Sequence, residues 1–448
     1  MLTPAQATDR AADLVARARR AGADVADAVF AGGESRSVGV RLGALEDVDG
    51  SQGQAIGLRV FVGRRHASVT TDSLDPADLA TLAERAVAMA REAPDDPWAG
   101  LAADDRLMRE PSPDLDLLDP AEPDAAALKA RALAVEDAAR AVAGVSNSSG
   151  GSAYHSRTVT ALATSAGWAR GYEGSRHGHS VSVLAGDGAG MQRDSAGHGA
   201  RHLADVEDVA DIGRRAGERA VARLNPGVLK SAAMPVLYDP RVASGLIGHF
   251  IGAINGASIA RGTSFLKDRL GEAVFAAGVT IEDDPHRPRA SRSRPHDAEG
   301  LPTSRSLLVE DGRLTGWIMA SAAARQLGLE PTGHAVRGVG GAPGAGVSNL
   351  AVLPGEASPE ELMADIVEGF YVTELIGQGA DLVTGDYSRG ASGFAIRDGR
   401  LAEPVAGLTV AGHLSAMFAS LTPANDLVRR TGFDSPTLRV EGCTVAGG

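Results

Sequence analysis

The sequence predicts an α+β fold in two domains: an N-terminal half carrying a repeated helix–strands–helix unit over 1–226, and a strand-rich C-terminal half over 227–448. Three observations carry this. At 448 residues the chain exceeds the roughly 250–300 residues at which one hydrophobic core stops growing. The same order of elements occurs twice before residue 226. The triplet Asn225-Pro226-Gly227 then stops a helix, and the runs that follow are mostly strand-like. With 44% hydrophobic but 4% aromatic residues and 56 glycines, the cores should be built from Ala, Val, Leu and Ile.

A first helix is predicted over Pro4–Ala21, where Ala7, Ala11, Leu14, Val15 and Ala18 recur on one face at helical spacing. Short β-rich runs at Val25–Phe30, Ser37–Leu42, Gln54–Val62 and Arg65–Thr70, separated by Gly and Asp clusters, predict an antiparallel meander. Asp75 is placed to cap a second helix over Pro76–Glu92, with Leu79, Leu82, Ala86 and Met89 on one side. The Asp- and Pro-rich segment Pro94–Pro123 reads as a crossing loop within the first domain. The order then repeats. A helix at Ala125–Val142 precedes β-like runs at Arg157–Thr164, Gly167–Gly174 and His179–Ala185, and a helix at Val206–Leu224 closes the unit. Past the boundary come a strand at Ala233–Leu237, a helix near Arg241–Asn255 and a long irregular loop from Asp283 to Gly300. Glu310-Asp311-Gly312-Arg313 and Arg397-Asp398-Gly399-Arg400 each carry the Asp-Gly signal of a two-residue hairpin.

The net charge of −13 argues against direct nucleic-acid binding, which needs clustered excess Lys and Arg to neutralise phosphates. The one cysteine, Cys443, cannot form an intrachain disulfide, and the first thirty residues are amphipathic and of mixed charge. These features point to a cytoplasmic protein. No apolar run reaches the roughly 20 residues needed to span a bilayer.

Each chemically suggestive cluster has a plainer reading. His198 and His202 stand at helical metal-ligand spacing, but no carboxylate adjoins the first, so a polar loop before a helix is preferred. His177 and His179 share a strand face without carboxylates at ligand spacing, and read as surface or hairpin polar residues. His249 sits in an apolar helix and reads as a satisfied core or interface histidine. The glycine-rich run Gly338–Gly346 matches no phosphate loop, and marks tight turns or a close approach of a partner backbone. Ser388, Arg389 and Ser392 in the run Ser388–Phe394 offer two hydroxyls and a guanidinium, without the Gly-x-Ser-x-Gly elbow or a base at readable spacing. The loop Asp283–Gly300 gathers Arg287, Arg289, Arg292 and Arg294 with His286 and His296; contact with an acidic partner or peptide and a plain solvated loop are equally open. From the residues alone, no catalytic constellation emerges.

Several stretches resemble the PmbA/TldE branch of the TldD/PmbA metallopeptidase family, also called the modulator of DNA gyrase family. They are Ser264–Asp268 with Leu270-Gly271-Glu272, Thr280–Pro285, Thr332–Gly338, Ser388–Phe394, Pro436–Gly442 and, in the first half, Gly57–Gly63. The resemblance covers essentially the whole chain. In TldD-type relatives it implies a His-Glu-x-x-x-His helix that holds zinc together with a more C-terminal Cys. Anchored on Arg261-Gly262-Thr263-Ser264, those positions fall on Ile247, Gly248 and Gly252. Ile has no lone pair and Gly no side chain, so neither coordination nor water activation is expected there. Cys443 lies past the Pro436–Val440 strand, whereas the family's ligand precedes it, and so reads as a lone buried thiol. The resemblance therefore implies a metal-free subunit with no catalytic residue and no cofactor of its own. Zinc is expected in a TldD-type partner, and unfolded peptide is the substrate. Ser264, Phe265, Ser388, Arg389 and Ser392 are the residues expected near peptide or partner. A stand-alone regulatory protein of the gyrase-modulator kind is the alternative, and hydrolysis through Ser388 or Ser392 a third.

Overall fold

The computed structural model describes residues 1–447. Its first half holds α1 Pro4–Arg20, β1 Val25–Arg41, β2 Ala44–Val62, β3 Arg65–Thr71 and α2 Pro76–Glu92, then α3 Ala125–Arg140, β4 Val145–Thr164, β5 Ala169–Ala185, β6 Gln192–Ala200 and α4 Val209–Ala222. The two helix–strands–helix units join in one six-stranded sheet of order β3-β2-β1-β4-β5-β6, with β1 and β4 antiparallel at its centre. Several runs that read as separate are single long strands. β1 joins Val25–Phe30 to Ser37–Arg41 without a turn, because its Gly and polar residues pair with both β2 and β4, and Leu42 falls in the turn that follows. Likewise β5 runs through from Ala169 to Ala185.

The helices start where short polar side chains can cap free N–H groups. Thr3 and Gln6 form a capping box on α1, Asp75 accepts from Ala77 N at 2.8 Å, and Asp124 accepts from Ala127 N at 2.8 Å. Ala26, Ala28, Phe30, Ile56 and Leu58 form one core with α1 and α2, while Val181, Val183 and Ala185 form another with α3 and α4. All four helices thus cover the same face. Met89 of α2 is exposed instead of facing the sheet, the buried row there being Leu82, Ala83, Ala86, Val87 and Ala90.

The second half begins with β7 Ala232–Tyr238, α5 Pro240–Ala253 and α6 Gly256–Ala260. Short pieces follow: β8 Ile281–Asp283, β9 Ser306–Glu310, β10 Arg313–Leu314, α7 Ser321–Leu327, β11 Ala335–Val336, β12 Gly344–Ala345, β13 Leu350–Val352 and α8 Pro359–Met363. The long strands β14 Glu368–Ile376, β15 Asp386–Arg397 and β16 Arg400–His413 come next, then α9 Leu414–Ala419, β17 Thr422–Pro423, β18 Phe433–Asp434 and β19 Leu438–Ala446. Both Asp-Gly hairpins form as read, with Asp311, Gly312, Asp398 and Gly399 at positive φ. The sheet β16-β15-β14-β7-β19-β17 closes on itself, since β16 also pairs with β19. Closure leaves its long strands without a free edge. The apolar face of α5, Ala243, Leu246, Ile247, Phe250 and Ala253, shares one core with Val236 and Tyr238 of β7, Tyr387 and Ala391 of β15, and Val440 and Cys443 of β19.

The helix-free face of the first sheet is covered by the crossing segment of the first half together with loops of the second. Val29, Leu162 and Trp168 pack there against Leu107 and Leu301. At Gly57 a Cβ would lie 1.5 Å from the carbonyl oxygen of Val339, so only glycine admits this crossing of backbones. The glycine-rich run after Arg337 therefore approaches the chain's own first sheet. Asp283–Gly300 is likewise no plain solvated loop: its own Pro285, Ser293, Pro295, His296, Asp297 and Glu299 are buried, while Pro288, Arg289 and Arg292 stay exposed.

Candidate functional site

Several chemistry-bearing residues of the second half stand around α5. Asp239 caps this helix, accepting from Arg241 N at 3.0 Å, and Pro240 opens it with a preset φ. Arg241 then reaches across to Asp194 of β6 at 2.9 Å, and Asp194 is itself buried, so the first half fixes the helix in place. Gly245, Gly248 and Gly252 recur at turn spacing on the side away from the core. A Cβ at Gly248 would meet nothing within 4 Å, whereas one at Gly252 would come within 2.8 Å of Leu382 Cδ1. The helix thus presents bare backbone to open space at its middle.

The five sequence-selected residues are brought partly together. Ser264 is buried; its Oγ donates to Ala253 O at 2.7 Å and accepts from Leu266 N at 3.1 Å, pinning the end of α5. Phe265 donates its N–H to Leu382 O at 2.9 Å and packs edge-on to His413. Arg389 stands near Gly245 at the other end of α5, on the β15 face that carries Tyr387. Ser388, on the next position of that strand, is exposed on the opposite face, and Ser392 is buried beyond a bulge. Among the described residues neither seryl Oγ touches an imidazole or carboxylate, so the arrangement supplies no activated nucleophile.

His249 differs from its sequence reading. Its Nε2 is buried with no partner, and its ring stands 5.8 Å edge-on from Tyr387. Burial, and next the charge of Arg389, lowers its pKa and keeps it neutral. Tyr238 and Tyr387 close the space beneath, with burial pushing the Tyr387 hydroxyl up to about 12. Cys443 lies within β19, not past a strand, because a bulge between Val440 and Cys443 lets the pairing with β7 continue. Burial pushes its thiol up to about 12, so it is a protonated hydrophobe at neutral pH.

The family's zinc does not fit here. Ile247 is fully buried in the core, and Gly248 and Gly252 offer no donor atom. Among the described residues no three His, Cys, Asp or Glu side chains gather as a metal would need.

The histidines of the first half also sit elsewhere than expected. His198 belongs to β6, not to a loop, and faces His179 across the strands; its Nδ1 accepts from Glu207 N at 3.0 Å. His177 and His179 are buried under α3 and α4, not at the surface, with His177 4.7 Å from the ring of His155. The strand alternation would have shown this: both share the parity of buried Val181 and Val183. A site that the sequence reading missed joins the halves. Asp27, 1% exposed, holds Arg59 of β2 and Arg337, whose Nη1 donates to it at 2.7 Å. Burial alone would raise the Asp27 pKa, and the two guanidiniums outweigh it and hold the carboxyl below its usual range.

No helix among the described residues is long and apolar enough to cross a membrane. Residues 231–447 match the PmbA/TldA metallopeptidase C-terminal domain, 118–224 its central domain and 26–90 its domain 1. Metalloprotease PmbA of Escherichia coli O157:H7 is 36% identical over 414 residues, which cover 92% of this chain and 90% of that protein. Among solved structures, a candidate modulator of DNA gyrase from Bacteroides thetaiotaomicron superposes with a TM-score of 0.91 at 24% identity, over the whole of both chains. TldE from Thermococcus kodakarensis superposes with a TM-score of 0.86 at 21% identity, over 97% of this chain and 99% of that one. These superpositions speak for the fold, and the sequence matches for descent: the chain belongs to the PmbA/TldD metallopeptidase family.

Proposed function

We propose that this chain is the metal-free subunit of a TldD/TldE-type zinc metallopeptidase that degrades or processes unfolded peptides. A TldD-type partner supplies zinc and water activation, while this chain binds peptide and stabilises the partner. One observation carries the reading: on α5 the positions that the resemblance gives to ligand, base and ligand hold Ile247, Gly248 and Gly252, none of which has a donor atom. The bare helix face at Gly248, between Phe265 and Leu382 at one end and Arg389 at the other, suits a peptide main chain. Strand addition is closed to the long strands of the second sheet, and open edges remain at β3 and β6 of the first sheet and at β10 and β18 of the five-stranded sheet β10-β9-β8-β13-β18. The name TldE carried by one structural neighbour supports the partnership.

The test is to purify this chain alone and mixed with a TldD-type partner, then follow cleavage of an unfolded peptide with and without chelator. Chelator-sensitive cleavage by the mixture only is the expected result. Cleavage of that kind by this chain alone would sink the reading. The name of the Bacteroides neighbour favours a second reading, a stand-alone regulator, in which neither preparation cleaves.

A further inference from the structure

Between the helix-free face of the first sheet and the loops laid over it is a cavity of about 150 Å3. Val29, Leu162 and Val336 give it apolar walls, and Arg294, His296 and Arg337 give it nitrogens. The Arg337 side chain is 1% exposed. Its Nη1 is used by Asp27, but Nε and Nη2, the edge with which a guanidinium grips two oxygens at once, have no partner and are buried. Arg294 spends its two terminal nitrogens on the carbonyls of Ala335 and Gly346, and its Nε is buried and free. Buried donors of this kind are normally satisfied, and leaving them bare is costly.

His296 adds a complementary requirement. Its Nδ1 donates to Asp297 O at 2.8 Å, so the neutral ring presents Nε2 as an acceptor, again buried and free. The oxygens of Asp297 are taken by the N–H groups of Glu299, Leu301 and Ala335, so it does not serve the arginines. The rim at Thr160, Tyr172, Ala298 and Val336 is only half-buried, which gives the cavity a way to solvent.

We propose that this cavity binds a carboxylate that carries an adjacent O–H or N–H donor and a short apolar body. Its two oxygens lie on the free edge of Arg337, its donor on His296 Nε2, and its body against Val29, Leu162 and Val336. A free 2-hydroxy acid and the C-terminal residue of a peptide share this chemistry. The proposal is independent of the peptidase reading, since it concerns binding by this chain alone.

Isothermal titration of the full chain with L-lactate tests it, with propionate as the analogue lacking the donor. Lactate should bind, and propionate should bind about tenfold more weakly, the worth of one hydrogen bond to a buried acceptor. Arg337→Gln should weaken lactate by at least about tenfold, and Ala298→Leu, which fills the cavity without touching its charges, should abolish binding with the melting temperature kept. If Arg337→Gln does not fold, Ala298→Leu decides. Displacement of lactate by trialanine, but not by trialanine amide, supports the proposal with a peptide terminus as the source; no displacement by either supports it with a free acid. Absence of lactate binding, or binding unchanged in Ala298→Leu, would overturn it. Equal affinities for lactate and propionate would overturn the role given to His296.

Discussion

Removing the carboxylate of Asp27 leaves two guanidiniums, Arg59 and Arg337, facing each other out of water. Deleting one member of a buried ionic cluster costs about 3–5 kcal/mol, because the charges left behind stay desolvated. Asp27→Asn should therefore lower the unfolding free energy by roughly that amount in urea denaturation. A loss under about 1 kcal/mol would mean that water already reaches the cluster. The contrast is Arg214–Glu218 on α4, where both side chains are more than half exposed and Glu218→Ala should cost under about 0.5 kcal/mol. The sequence reading passed over Asp27, although an acidic residue inside the apolar run Val25–Phe30 is a misfit that could have marked it. Its partner Arg337 stands 310 residues away, and no local pattern encodes that pairing.

Helix α5 shows what the element scale adds. Three glycines in fourteen residues should weaken an isolated helix by about 1 kcal/mol each, so α5 exists because Leu246, Ile247 and Phe250 are buried in the closed sheet. Where a glycine faces open space, that cost is recoverable. Gly248→Ala should stabilise the chain by about 0.5–1 kcal/mol, whereas at Gly252 the gain is opposed by the contact with Leu382. Gly248→Leu retains the helix but fills the groove. If peptide lies there, the mixture with a TldD-type partner should lose about tenfold in turnover, roughly 1.4 kcal/mol of transition-state stabilisation, at unchanged melting temperature. Undiminished turnover would move the peptide elsewhere. Periodicity and the Asp-Gly turns made the helices and hairpins legible here. The closure of the second sheet was not, because β16 meets β19 through three residue pairs far apart in sequence. Nor was the separation of Ser388 from Arg389: adjacent strand residues point to opposite faces, which breaks up a run that looks like one site on paper.

For the whole molecule the buried imidazoles set how stability follows pH. Burial, ahead of any neighbour's charge, lowers His177 and His296 from 6.5 to about 4. His155, His179, His198 and His249 are lowered too, with burial the first cause in each. Below pH 6.5 the unfolded chain takes up these protons and the folded chain does not, so the stability they contribute is present above 6.5 and lost as pH falls toward 4. Asp297 works the other way. Burial, then Glu299, raises it from 3.8 to about 6, so between 6 and 4 the folded state binds a proton that the unfolded state does not. The His177 and His296 contributions are each at most about 3 kcal/mol, and Asp297 offsets about one of them. From these three groups a net loss of up to about 3 kcal/mol between pH 7 and 4 remains, and the four other lowered imidazoles add to it. The depressed carboxylates Asp27 and Glu282 start from ordinary values of 3.8 and 4.5, so their contribution begins to be lost only at the acid end of that window and goes on being lost below it. Urea midpoints should therefore be flat from pH 8 to 7 and drop steadily from 6.5 to 4.5. His177→Gln should flatten the drop, because glutamine fills much of the same space without a proton to gain. A midpoint independent of pH from 7 to 4.5 would show that these rings meet solvent in the folded protein, against the burial of His177 under α3 and α4.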